Sequence, residues 1–170
     1  MKNSLRKNKI NAMLTAIVIF ISVIAVGIVY IPRIAGYKAY SVDTGSMEPT
    51  IRTGSLIYVK RYINYEDFKV GDIVTFSDLT GEKSFTHRIV DINTKDKTFI
   101  TKGDANKEKD LSPTSYIYAT GKVEFTIPYL GYVAVFLRNK FARIAVSLIY
   151  IAWAAIEIEI FLAERKKRDE

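Results

Sequence analysis

Apolar and polar positions divide this chain into three unequal blocks. From Ile10 to Ile31 a run of 22 residues carries no charge, and Asn11, Thr15 and Ser22 interrupt it with small polar groups. As a helix rising about 1.5 Å per residue, the run is about 33 Å long, enough to cross a hydrocarbon core of about 30 Å. Pro32 and Gly36 are predicted to end that helix, with a short connector to about residue 40. The middle block, from Tyr40 to about Leu137, has short runs rich in Ile, Val, Tyr, Phe and Thr, broken by Gly, Asp, Asn and Pro. Strands are predicted over Ser55–Tyr62, Ile73–Phe76, Phe85–Ile92, Lys97–Lys102 and Ile117–Thr126. No long helical period lies between them, which argues against βαβ units and for a compact, antiparallel β domain with curled sheets.

The third block, Phe141–Leu162, is apolar again, although only the 13 residues Ile144–Ile156 are free of charge. Arg143 can snorkel at one end. Glu157 and Glu159 are the obstacle to a second span, because an acidic residue at mid-bilayer costs about 2.5–3.5 kcal/mol on an insertion scale. They lie toward the basic run Arg165-Lys166-Lys167-Arg168, where an interfacial position lowers that cost. The other reading is an amphipathic helix lying on the membrane or on a partner. Ile127-Pro128-Tyr129-Leu130-Gly131-Tyr132 reads either as a strand or as an interfacial aromatic segment.

Charge then gives the first span a direction. Of the net charge of +7, the first nine residues contribute +4 through Lys2, Arg6, Lys7 and Lys9. Basic flanks stay in the cytoplasm, so the middle block is expected outside. The span exceeds the roughly 7–15 residues of a cleavable leader's apolar core, and no clean small-x-small site follows it, although Ala35, Gly36 and Ala39 come close. An uncleaved anchor is therefore expected. The division that results is a cytoplasmic tip at 1–9, a transmembrane helix at 10–31, an extracytoplasmic β domain at 32–140, a second transmembrane helix at 141–163 and a cytoplasmic tail at 164–170. The fold class is mainly β, at the cell membrane, with two spans. The middle block mixes Lys with Asp and Glu and has no one-signed stripe, which argues against nucleic acid as a partner. There is no cysteine and only one histidine, so cysteine nucleophiles and cysteine- or histidine-based metal sites drop out, and no cofactor is expected.

What remains is serine chemistry. Ser46 lies in Gly45-Ser46-Met47-Glu48-Pro49-Thr50, fifteen positions past the first span. A serine hydroxyl needs a neighbouring base to take its proton. Gly45 is expected to permit a tight turn and Pro49 to stiffen it. His87, in Phe85-Thr86-His87-Arg88-Ile89-Val90, shares a strand face with Phe85 and Ile89. That apolar setting disfavours the imidazolium and leaves a neutral ring able to accept a proton. A base needs an orienting acid, and Asp104 and Asp110 are the candidates; their spacing does not choose between them. The backbone N–H of Ser46 and the Thr44 hydroxyl are candidate donors to an oxyanion.

These segments together resemble a known family. Asp43-Thr44-Gly45-Ser46-Met47-Glu48-Pro49-Thr50 resembles the nucleophile box of type I signal peptidases. Gly71-Asp72-Ile73-Val74-Thr75-Phe76 resembles their following strand motif, Thr86-His87-Arg88-Ile89 the box of the general base, and Lys102-Gly103-Asp104-Ala105-Asn106 their Gly-Asp box. All four stand in family order between Asp43 and Asn106, and a Pro-Tyr-Leu-Gly-Tyr segment follows. Most bacterial members carry a lysine where this chain has His87. Histidine there marks the subfamily of archaea, the endoplasmic reticulum and some Gram-positive bacteria. The resemblance implies a membrane-bound serine endopeptidase that removes signal peptides from exported preproteins, cutting after small residues at the first and third positions before the bond. It maps the orienting acid to Asp110, with Asp104 supporting or exchanging roles with it, and the oxyanion hydroxyl to Thr44. Its implied partners are preproteins and the bilayer, with room for accessory membrane subunits. Two other readings are a non-catalytic membrane-anchored β module and a self-cleaving serine protease. The latter type pairs serine with lysine in a soluble chain, so the anchor and His87 weigh against it.

Overall fold

The computed structural model describes residues 2–62, 64–78, 80 and 83–169. Met1 and Glu170, the outermost residues of the expected cytoplasmic tip and tail, lie outside the described residues, as do the side chains of Lys2, Arg6, Lys7 and Lys9. Helix α1 spans Lys2–Ile34, and strands follow at β1 (Tyr37–Ser41), β2 (Leu56–Lys60), β3 (Ile73–Ser77), β4 (Ser84–Asn93), β5 (Thr98–Lys102), β6 (Thr114–Ser115) and β7 (Ala119–Ile127). Helices α2 (Leu130–Arg138) and α3 (Lys140–Asp169) complete the chain. The strands form one seven-stranded sheet in the order β1-β2-β7-β3-β4-β5-β6, with every described pairing antiparallel. Register breaks between Tyr58 and Val59, Thr75 and Phe76, and Ile89 and Asp91 bend the sheet, since each extra residue in one strand increases local twist.

All five expected strands are present, with no end moved by more than two residues. Two expectations for the β block change. The connector after the first helix is in fact strand β1, which pairs with β2 from Tyr37 to Ser41; its mix of Tyr, Lys, Ala and Ser hid it. The β block does not run to Leu137, because Tyr129 takes a left-handed conformation (φ 64°) and α2 begins at Leu130. Asn139 Oδ1 then accepts from the Phe141 N–H at 2.8 Å, capping α3.

The buried side chains form two clusters. One contains Tyr65, Phe68, Val74, Phe76, Ile89 and Phe99; the other contains Met47, Ile51, Ile57 and Val59. Within the strands the basis is period-two alternation, which turns Val74 and Phe76 of β3, for example, to one face; Met47, Ile51, Tyr65 and Phe68 join from the segments between strands.

Two helices, over Met13–Ile34 and Lys140–Ala163, are long and apolar enough to cross a membrane. Thr15 Oγ1 donates to Glu157 Oε1 at 2.8 Å, and Ser22 Oγ and Tyr150 Oη lie 2.9 Å apart. The residue numbers rise in α1 as they fall in α3, so the helices run antiparallel. Glu157, the obstacle to a second span, thus has a hydroxyl donor within the helix pair. Helix α1 continues through Pro32 instead of stopping there. Proline has no N–H to give the carbonyl four residues back, Ile28. That carbonyl accepts from the Tyr58 hydroxyl of β2 at 2.7 Å. The β domain thereby supplies the bond the proline withholds, and this ties the sheet to the helix.

Candidate active site

Ser46 sits on a tight turn whose geometry follows from its neighbours. The Glu48 N–H donates to the Gly45 carbonyl at 3.0 Å and the Ile51 N–H to the Met47 carbonyl at 2.8 Å. Met47 and Ile51 are each 1% exposed, in the second core cluster. Anchoring the residue after Ser46 in the core holds the serine half-buried at the surface above it. Glu48 closes the turn by accepting from the Thr53 N–H and hydroxyl at 3.2 and 3.1 Å. Gly45 itself has no steric need to be glycine, since a Cβ there would meet its nearest neighbour, Glu48, at an ordinary 3.4 Å. The glycine that geometry requires is Gly103. A Cβ on it would stand 2.5 Å from the Ser46 carbonyl oxygen.

That contact brings the Gly-Asp box to the serine. The Ala105 N–H donates to the Ser46 carbonyl at 2.9 Å. Seven residues after Gly103, Asp110 reaches His87: Nδ1 and Oδ2 are 2.6 Å apart, with the two side chains 14% and 24% exposed. The Thr101 hydroxyl donates to the same Oδ2 at 2.6 Å, and the Asp110 N–H donates to the Thr101 carbonyl at 2.8 Å. A carboxylate that accepts from both neighbours assigns the ring proton to Nδ1 and leaves Nε2 as the acceptor. The Phe85 ring stands edge-on to the imidazole, centroids 5.5 Å apart.

Asp104 is occupied elsewhere. Arg88 Nε and Nη2 donate to its two oxygens at 2.8 and 2.6 Å, and Nη1 donates to the Gly71 carbonyl at 2.8 Å. The Arg88 guanidinium holds the Asp104 carboxyl below its ordinary range; burial opposes this, and the Thr50 hydroxyl adds to it. The same pairing raises Arg88. Successive residues of a strand face opposite ways, so His87 and Arg88 each take a different acid from one loop.

Of the expected residues, the structure joins His87 with Asp110 and Thr44 with Ser46, whose hydroxyl oxygens are 3.4 Å apart. Ser46 Oγ and His87 are not hydrogen-bonded to each other. Sequence reasoning missed Thr101, a fully buried hydroxyl in β5. Its alternation with Phe99 marks it as inward-facing, and an inward threonine needs a partner. It also missed Arg88 as the partner of Asp104. Beside Ser46 lies a cavity of about 270 Å³. Val42, Thr44 and Met47 line one side, and Ser84 and Thr86 of β4 the other. Among the described residues no group of acidic or histidine side chains could hold a metal ion.

The sequence is similar to those of known proteins. The sequence model described as signal peptidase, peptidase S26, matches residues 14–114. Signal peptidase I W of Bacillus subtilis is 43% identical over 86 residues, which are 49% of this chain and 45% of that protein. The signal peptidase complex catalytic subunit SEC11 of Metarhizium acridum is 30% identical over 111 residues, 58% of this chain and 62% of the relative. The corresponding subunit of Dictyostelium discoideum is 31% identical over 126 residues, 65% and 68% of the two chains. The chain thus spans about half the length of the Bacillus relative and under two thirds of the Metarhizium one.

Proposed function

This chain belongs to the signal peptidase S26 family, and from that membership and the geometry around Ser46 we propose that it is a membrane-bound serine endopeptidase that removes signal peptides from exported preproteins. The observation that carries the reading is the 2.6 Å contact between His87 Nδ1 and Asp110 Oδ2, on a loop that also bonds the Ser46 carbonyl. In this reading Ser46 Oγ attacks the scissile carbonyl while His87 Nε2 takes its proton and later gives it to the leaving amine. Asp110 fixes the tautomer and stabilises the imidazolium that forms. The nucleophile–base contact tightens when substrate binds, as apo sites commonly require. The Ser46 N–H and the Thr44 hydroxyl face the charge that develops on the carbonyl oxygen. Asp104 supports the site through Arg88 and does not orient the base.

Substrate access follows from the strands. Residues Ser84–His87 pair with β3 on one side, while β5 pairing begins only at Arg88. An extended peptide can add along the other edge, with alternate side chains entering the cavity beside Ser46. Its limited volume favours small residues at the first and third positions before the cut. We place residues 32–140 outside the membrane, 10–31 and 141–163 across it, and 1–9 and 164–170 in the cytoplasm, with the substrate arriving from the bilayer. The antiparallel helix pair, which puts both chain ends on one side, supports this. Two relatives are named as catalytic subunits of a complex, so accessory membrane subunits fit the reading. The test is cleavage of a synthetic signal peptide by the purified protein in lipid or detergent. Wild type should cut after a small residue, and Ser46→Ala should lose about 10⁶-fold in kcat; cleavage by Ser46→Ala at the wild-type rate would reject the nucleophile.

A further inference from the structure

A second cavity, of about 470 Å³, opens on the other face of β4. Its walls include Phe76, Phe85, Thr114 and Tyr118, and it shares Ser84 and Phe85 with the cavity beside Ser46. Phe85 is 43% exposed. Its ring stacks on Phe76, centroids 5.1 Å apart, and stands edge-on to His87. One strand segment therefore separates two cavities, with Ser84 and Thr86 turned to one and Phe85 to the other.

We propose that this aromatic cavity binds the side chain of the second residue before the scissile bond, and that it selects a large apolar one. The inference rests on the signal peptidase reading above. A peptide strand laid along the open edge of Ser84–His87 alternates its side chains as β4 does. The scissile carbonyl lies at the His87 end, next to Ser46. The first and third residues before it then stand level with Thr86 and Ser84 and enter the Ser46 cavity. The second stands level with Phe85, on the opposite face. The side of the bond rests on the membrane placement proposed above: Tyr40 to Thr44 follow α1 in the chain and line the same cavity, so in that placement the part of the substrate still in the bilayer lies beside them. Rings on two walls and a partly exposed Phe85 gain from covering apolar surface, and the two charged residues that also line the cavity, Asp78 and Lys83, are of opposite sign.

The experiment uses the full chain and one signal-peptide sequence in four versions, with Ser, Leu, Phe or Asp at the second position before the cut. Wild type should show kcat/KM about five- to tenfold higher for Leu and Phe than for either Ser or Asp. In Phe85→Ser the ratio of Leu to Ser should collapse toward one, whatever happens to the absolute rate through the His87 contact. Tyr118→Ser, on another wall, should lower the same ratio. A wild type indifferent to the second residue, or a ratio unchanged in both variants, overturns the subsite and leaves the peptidase reading intact. Failure of wild type to cut any of the four overturns both.

Discussion

The two halves of the candidate site are held very differently. On the β4–β5 side, His87, Asp110 and Thr101 form a closed set, with two side-chain contacts of 2.6 Å on one carboxylate oxygen. Next to it, Arg88 and Asp104 form a two-pronged ion pair. On the other side, Ser46 is fixed through its backbone, by Met47 in the core and by Ala105, while its hydroxyl has one long contact, to Thr44 at 3.4 Å. In the proposed mechanism the difference suits the chemistry each side is asked to do. A base must arrive with the right tautomer and orientation, and preorganisation supplies both. A nucleophile must leave its resting partner to attack, and a 3.4 Å contact costs little to break.

Four changes test that contrast, and three follow in descending order of expected effect. Asp110→Asn should do the most damage on the held side, because an amide cannot hold the tautomer that a carboxylate does. A fall of about 10³- to 10⁴-fold in kcat is expected with the fold retained, measured by peptide cleavage beside circular dichroism. Asp104→Asn run in parallel should keep most activity; equal losses from the two would erase the distinction between the acids. On the loose side, Thr44→Val should cost about 10²-fold in kcat with little change in KM, since the hydroxyl acts on charge present only in the transition state. A KM effect alone would make Thr44 a substrate-binding group instead.

The smallest effect is on stability. The Asp104 carboxyl is held below its ordinary value of 3.8 by Arg88. Its contribution is therefore fully present above that value and is lost as pH falls through the lowered one. Asp104→Asn should destabilise the protein by about 1–2 kcal/mol at neutral pH, and the gap from wild type should close at acid pH. Thermal melts from about pH 2.5 to about pH 7 read the gap directly. A constant gap would mean that packing, not charge, does the work.

How legible each half was follows from the same contrast. The strand that carries His87 and the strands around it were readable because alternation carries them, and Ser46 stands in a local motif that needs no distant partner to be noticed. The five strands expected from apolar runs are all present, whereas β1 and the two-residue β6 lack such runs and depend on their neighbours for existence. Asp104 and Asp110 could not be separated by spacing, because the answer lies in which face of β4 each meets. That depends on Arg88, an ordinary basic residue in sequence, taking the nearer acid. Glu157 looked costly in isolation; its partner Thr15 is 142 positions away, beyond any local pattern. Pro32 predicted a break, and the break is averted by Tyr58, another residue chosen by the tertiary fold.

The most direct test of His87 as the base for Ser46 is kcat for His87→Ala against wild type on one signal peptide, with the fold of both checked. A loss of about 10⁴-fold or more is expected. Cleavage by His87→Ala within twofold of wild type, a margin of about 0.4 kcal/mol, would contradict it.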